Sequence, residues 1–482
     1  MSAENDQILR AHLDRRDGQE DICLATYSVS TGVQRVSRLL TRVELPLKGE
    51  RRVHGNATIT GAYVLRVAAQ AAERGEGLAL LHSHPGGRGW QGLSDPDHSA
   101  ESSYSYLVER VTGLPLVGLT FAGEDKAWSA REWAGPTPVW HESVRVAGKS
   151  LRVTWNELLR QPPAATGEQA RTVSAWGDGL QRDIARLRVL VVGVGSVGLD
   201  VAVRLAATGI QHVGIMDYDI VKTVNRDRMV GATRRDVLLR TPKVTLAARL
   251  MASASTAVDP AITVHDLSVC SPAGLAAALD YDIIFSCVDR PWPRAVLNGI
   301  GYSDLIPVID GGINIDTFEH GGMRGASWRV QVASPGIPCL ACSGQIRMPN
   351  VVLDQQGLLD DEQYISQAGL EAPASQNVAV LSASVSAGQL AQFVSLVATP
   401  GGRGASGPLR YILAAHHQEH LDAASHPACH FERLPGEGDR RIRFVKDSGP
   451  WVEALALRRR PSRLRSRAAA LRESMSSWFK HA

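Results

Sequence analysis

The stretch Leu187–Gly209, "LRVLVVGVGSVGLDVAVRLAATG", decides how this chain is built. It opens on a β-branched apolar run, breaks at Gly193, Gly195 and Gly198, and continues with apolar residues at helical spacing. A strand, a tight turn and a helix follow from that order. Glycines in the turn let the backbone approach a phosphate, and the helix N-terminus favours negative charge. Alone, the GxGxxG pattern is shared by every dinucleotide-binding enzyme. Around it, residues 171 to 440 alternate strand-like runs such as "HVGIMDYD" and "YDIIFSCVD" with amphipathic ones such as "TPKVTLAARLMASAS". That alternation predicts βαβ units and an α/β, Rossmann-like, mainly parallel sheet.

Asp217 ends the second predicted strand, where an acid commonly meets a ribose hydroxyl, so an NAD-dependent dehydrogenase is one reading. The residues that follow favour another nucleotide. Asn225, Arg228, Lys243 and Asp289 come in order at strand ends and turns. Cations stabilise charge building on an α-phosphate when a carboxylate attacks it, and an acid holds magnesium; hydride transfer needs neither. Residues 171 to about 435 resemble the adenylating domain of ubiquitin-activating enzymes and their bacterial relatives, the ThiF-like sulfur-carrier activators. The resemblance implies that the DxDxVxxxNxxR run (Asp217, Asp219, Val221, Asn225, Arg228) binds ATP with the three glycines. It implies that Lys243 contacts phosphate and Asp289 holds magnesium. It also implies that an arginine of the lead-in, Arg171 being the nearest match, is donated to the site of a second subunit, and so a homodimer. Ser196 stands where that family commonly has glycine, which should not block phosphate.

The first quarter carries a second constellation, "LALLHSHPGGRGWQGLSDPD", residues 78–97. His82 and His84 end an apolar strand-like run, and residues two apart on a strand face one side. Asp97 returns from the loop with an oxygen. Two nitrogens, one carboxylate and an open position make a catalytic zinc site. Zinc lowers the pKa of its water to about 7; that water needs a general base, and the oxyanion needs a donor, for which Ser94 is placed. The pattern resembles the JAMM motif of the MPN-domain (Mov34 and JAB) zinc metallopeptidases, over roughly residues 1 to 140. The resemblance implies that His82, His84 and Asp97 are the ligands, that Ser94 is the family's serine and that an upstream glutamate is the base. Glu20 fits that place, with Glu44 and Glu50 as rivals. Nine residues separate His84 from Ser94, more than in the family pattern, so the loop "GGRGWQG" is expected to bulge at the rim of the cleft.

Six cysteines in 482 residues do not form a disulfide scaffold. Cys339-x-x-Cys342 is half of a structural zinc site. ThiF-like proteins often repeat the pair near the domain end. Here Cys429 is present and the second position falls on Glu432, so His426, at HxxC spacing, is preferred as the fourth ligand. No cysteine lies between Cys342 and Cys429, so the usual thioester nucleophile is missing. Cys23, Cys270 and Cys287 sit in apolar settings and read as buried and inert. An activated carboxylate would then pass to an outside thiol, a sulfur donor or a conjugating enzyme.

Composition (44% hydrophobic, 21% charged) suits a soluble globular chain. The N-terminus lacks a signal-peptide core, and no apolar run looks long enough to span a bilayer, so a cytoplasmic protein without a membrane partner is expected. Residues 1–159 are expected to form the α/β JAMM domain, 160–170 a linker, 171–440 the adenylating domain and 441–482 a basic tail. The last 25 residues carry seven arginines and one lysine against one glutamate, which reads as a solvated helix rather than a nucleic-acid site. The expected function is bifunctional: zinc-dependent cleavage after the C-terminal glycine of a small ubiquitin-like protein, and ATP-dependent adenylation of that terminus. Alternatives are a sulfur-carrier adenylyltransferase for cofactor or metabolite biosynthesis with a JAMM processing domain, or a binding module with one inactive half.

Overall fold

A computed structural model describes residues 1–54, 56–360, 376–433 and 435–459. Two α/β units follow each other along the chain. In the first, a six-stranded sheet runs in the order Val36–Glu44, Ile22–Thr31, Gly77–His84, Leu116–Ala122, Ala127–Trp133, Val139–Trp140. The central strand Gly77–His84 is buried except at its last residue, His84. It pairs antiparallel with Ile22–Thr31, Ile22 opposite His82, and parallel with Leu116–Ala122. The helix Gly61–Glu73, capped by the Thr60 side chain, presents Tyr63, Val64, Val67, Ala68 and Ala71 to the sheet, the spacing of one buried helical face. The helix Asp95–Thr112 starts at a reciprocal cap between Ser94 and Asp97 and ends at Gly113 in the left-handed region. Inside it, the buried Glu101 meets Arg131 and accepts from Trp133 Nε1 at 2.6 Å. Gly118 leaves room for that carboxylate, since a Cβ there would lie 2.4 Å from Glu101 Oε2.

The second unit holds an eight-stranded sheet in the order Ala261–His265, His212–Met216, Arg188–Val192, Ile283–Ser286, Val308–Thr317, Met323–Ala333, Leu409–Ile412, His417–His420. Its first five strands are parallel and the last three continue antiparallel. Separate apolar clusters cover its two faces, as a doubly wound sheet requires. From Arg188–Val192 the chain winds one way to His212–Met216 and later the other way to Ile283–Ser286. The crevice at the carboxyl ends of those strands is the switch point where such sheets bind ligands.

The helix Ala379–Ala398 is the one helix among the described residues that is long and apolar enough to cross a membrane, against the expectation that none would be. It packs along the sheet instead. Trp328 and Val330 close on Gly388, and Gln389 Nε2 donates to the Ser286 and Ile309 carbonyls at 3.1 and 2.9 Å.

The segment 160–170 ends in a short turn whose buried Gln169 donates to the Thr256 carbonyl at 3.0 Å. It is held against the second unit rather than hanging free. The two units are clamped by polar contacts. Arg35 and Arg145 both reach the buried Asp282, at 2.6 and 2.9 Å. Ser30 Oγ donates to Asp304 at 2.8 Å, and Arg440 reaches Glu76 at 2.7 Å. The start of the expected tail is docked too: in the helix Pro450–Arg459, Trp451 is buried beside Trp292, and Arg458 Nη2 donates to the Asp219 carbonyl at 2.7 Å. The rest of the basic tail, and the middle of the cysteine-free stretch between Cys342 and Cys429, lie outside the described residues.

Candidate active sites

Strand alternation brings His82 and His84 to one side of the first sheet, and the helix N-terminus brings Asp97 to meet them. The two Nε2 atoms are 3.3 Å apart; Asp97 Oδ2 is 3.6 Å from His82 Nε2 and 3.5 Å from His84 Nε2. Ligands about 2.0–2.1 Å from a tetrahedral zinc stand roughly 3.3 Å from one another. The three donors therefore span one face of such a tetrahedron, and their chemistry fits zinc. His82 is buried and the other two are half-buried, so a fourth position can face solvent. Hydrogen bonding to Asp97 outweighs burial and raises the His84 pKa, and the charge of Glu20 adds to the rise.

Glu20 precedes the strand paired to His82, and the Asp21 backbone N–H and C=O both bond to Ser83. Glu20 lies one residue further back, near enough for its charge to act on His84. The rivals are engaged elsewhere: Glu50 accepts two bonds from Arg66, and Glu44 lies 3.6 Å from Arg74. Ser94 Oγ donates to Asp97 Oδ2 at 2.6 Å, so the serine both starts the helix and orients the carboxylate. The loop after His84 exposes Gly86, Arg88 and Gly92. Trp90 and Gln91 turn inward, and Gln91 N–H donates to Ser129 Oγ at 2.6 Å.

In the second unit each glycine of the turn has its own reason. Gly193 takes φ +86°, and a Cβ there would lie 2.7 Å from the Cys287 carbonyl oxygen. At Gly198 a Cβ would lie 2.0 Å from the Gly193 carbonyl oxygen. Gly195 caps the helix Ser196–Ala207 and faces open space, where a phosphate could approach. Asp217 accepts from the Val194 and Asp219 N–H groups at 2.8 and 2.7 Å, which ties the strand end to the turn. Burial raises its pKa.

Lys243 Nζ lies 2.9 Å from Asp219 and 3.9 Å from Asp217. Burial works to lower its pKa, but the two carboxylates outweigh burial and hold it above the ordinary lysine value; Asp289 adds to their field. Asn225 Oδ1 caps its own turn through the Lys222 N–H, and Arg228 Nη1 donates to the Val224 carbonyl. Both are satisfied locally rather than gathered with Lys243. Arg171 is exposed on the helix Ala170–Trp176. Two residues that no sequence signal marked, Asn377 and Ser382, reach Ser196 Oγ at 3.1 and 2.9 Å and hold the helix start.

The third cluster is Cys339, Cys342, Cys429 and Glu432. Cys339 and Cys429 Sγ are 3.6 Å apart, close to the edge, roughly 3.8 Å, of a tetrahedron with zinc–sulfur bonds of about 2.3 Å. The donor set fits a structural zinc. Its fourth member is Glu432, not His426. His426 lies outside that donor group: its Nδ1 accepts from the Ala428 N–H at 3.1 Å, and its backbone N–H donates to Cys342 Sγ at 3.3 Å. Cys23 and Cys270 are buried and Cys287 is half-buried; burial raises all three thiol pKa values, so none is poised as a thiolate.

Residues 167–406 match the ThiF family. An adenylyltransferase and sulfurtransferase MOCS3 of Caenorhabditis briggsae is 29% identical over 159 residues, 33% of this chain and 38% of that protein. The molybdopterin-synthase adenylyltransferase of Escherichia coli K12 is 27% identical over 143 residues, 28% of this chain and 55% of that one. The chain thus spans about two fifths to just over half of these relatives. Among solved structures, Escherichia coli MccB with ATP aligns at 16% identity and a TM-score of 0.43, over 55% of this chain and 74% of that one.

Proposed function

We propose that this chain, with its ThiF-family segment, adenylates the C-terminal carboxylate of a small sulfur-carrier or ubiquitin-like protein, and that its first unit is a zinc peptidase for the same terminus. The observation that carries the adenylation reading is the open glycine turn at Gly195 next to the buried Asp217–Lys243–Asp219 cluster. In this reading Lys243 leaves its carboxylate partners for the phosphates of ATP. Asp289 would hold magnesium, and the tail carboxylate would displace pyrophosphate to give an acyl adenylate. The names of the relatives favour a sulfur carrier over a conjugated modifier as the substrate, which supports the sulfur-carrier alternative above the first expectation. Arg171 on its exposed helix would serve a second subunit, which makes the working unit a homodimer.

The peptidase reading is supported by the spacing of the three donor atoms. His82, His84 and Asp97 would hold zinc, which supplies a polarised water when bound. Glu20 would serve as the general base, taking a proton from the attacking water and returning it to the leaving amine. Ser94 keeps Asp97 oriented and can turn toward the oxyanion.

ATP–pyrophosphate exchange with a small protein ending in Gly-Gly tests the first half. Exchange that depends on that protein is expected; NAD binding without AMP formation would overturn the reading in favour of a dehydrogenase. Cleavage of a C-terminally extended form of the same protein tests the second half. Glu20→Gln should lower the rate by about 10²–10⁴-fold while leaving zinc content unchanged. Tight binding of the small protein without turnover at either site would leave only the binding-module alternative.

A further inference from the structure

We propose that Gln91, on the loop beyond the histidine pair, is a positioning residue that fixes His84 as a metal ligand; this rests on the zinc-peptidase reading. A neutral imidazole binds a metal through one nitrogen while the other carries the proton, and the partner of that N–H sets both tautomer and ring direction. His84 Nε2 faces His82 and Asp97. Its Nδ1 lies 3.2 Å from Gln91 Oε1. The Gln91 amide cannot swap ends, because its Nε2 already donates to the Arg88 carbonyl at 2.6 Å. Its oxygen end must therefore face His84, accept the Nδ1 proton and leave the Nε2 lone pair for the metal.

The loop is built to deliver this contact. A Cβ on Gly87 would lie 2.7 Å from Gln91 Oε1 and 3.1 Å from His84 Cβ, so the approach requires glycine there. Gly89 turns the chain at φ +62°, and its N–H donates to Asp125 Oδ2 at 2.7 Å. The Gln91 backbone is pinned in turn to Ser129. The extra length between His84 and Ser94 thus supplies a ligand-orienting amide.

The test uses the full chain. Zinc affinity is measured by chelator competition, with cobalt substitution as a spectroscopic readout. The cysteine cluster gives thiolate charge-transfer bands that the histidine site lacks, so the two sites are read separately and the thiolate bands report correct folding. Gln91→Leu should weaken metal at the histidine site by about 10–100-fold and shift its cobalt ligand-field bands. Gln91→Glu, which keeps an acceptor at that position, should retain the parent affinity. If Gln91→Leu does not fold, Gln91→Met carries the same expectation. Unchanged affinity in the leucine or methionine variant, or equal loss in the glutamate variant, overturns the proposal while leaving the zinc reading intact. A parent protein that takes up no metal at the histidine site overturns both.

Discussion

Glu432 and His426 compete for one coordination position, and a single carboxylate decides the outcome. HxxC spacing made the histidine attractive in sequence. The fold instead puts Glu432 Oε1 2.7 Å from the Cys339 N–H and within the sulfur cluster, while the His426 ring caps its own turn. A hard oxygen among three soft thiolates is an acceptable zinc set. A structural zinc contributes on the order of 10–16 kcal/mol through four ligands, so one ligand accounts for roughly 3 kcal/mol, about a hundredfold in affinity. Glu432→Ala should lose about that much in chelator competition, and His426→Ala should lose little. The reverse order would restore the histidine as the ligand.

At the scale of elements, the glycine turn separates packing from binding. A methyl group on Gly198 would meet the Gly193 carbonyl, where neither backbone can yield. Gly198→Ala should therefore destabilise the chain by about 1–3 kcal/mol, seen as a lower denaturant midpoint. At Gly195 the same methyl group meets nothing. Gly195→Ala should keep the parent midpoint but bind ATP at least about tenfold more weakly, a cost of about 1.4 kcal/mol, because the group occupies the approach to the helix start. ATP affinity that is unchanged in Gly195→Ala would remove the turn from the nucleotide site. The turn was legible in sequence because steric rules act within a few residues; the same locality made the HxH pair and its aspartate legible. Contacts closed by distant chain were not. Asn377 and Ser382 reach Ser196 across more than 180 positions, and no local pattern marks them. The apolar helix Ala379–Ala398 is hard to read in sequence because serine and glutamine dilute its apolar residues. The inward turn of Gln91 depends on Ser129 and Asp125, supplied by neighbouring strands.

Across the whole molecule, the joint between the two units combines apolar packing, through Leu39, Leu151 and Trp155, with charged pairs, and the charged pairs set how the protein should respond to substitution and to acid. Asp282 is buried, and burial alone would raise its pKa; Arg35 and Arg145 from the first unit outweigh it and keep the carboxyl below its ordinary value. Asp282→Asn removes the carboxylate charge that both guanidinium groups face, a loss of about 3–5 kcal/mol for a broken buried pair. It should lower the thermal midpoint and separate the unfolding of the two units; one unchanged transition would show that the clamp lies elsewhere. The same joint forms a partly open cavity of about 450 Å³ lined by His141, Arg145, Arg188, His212 and His265 among others. Burial, then the charges of Arg160 and Arg188, depress the His212 pKa to about 4, against about 6.5 in an unfolded chain. Between those values the unfolded state holds a proton that the folded state refuses, so stability is fully present above about pH 6.5 and falls as pH drops toward 4. Burial lowers the His141 and His265 pKa values as well, so they act with the same sign. Denaturant midpoints measured from pH 7 to pH 4.5 should decline for the parent protein, and His212→Gln should flatten part of that decline without changing the value at pH 7.5. A parallel decline in the variant would assign the acid limb to groups other than His212.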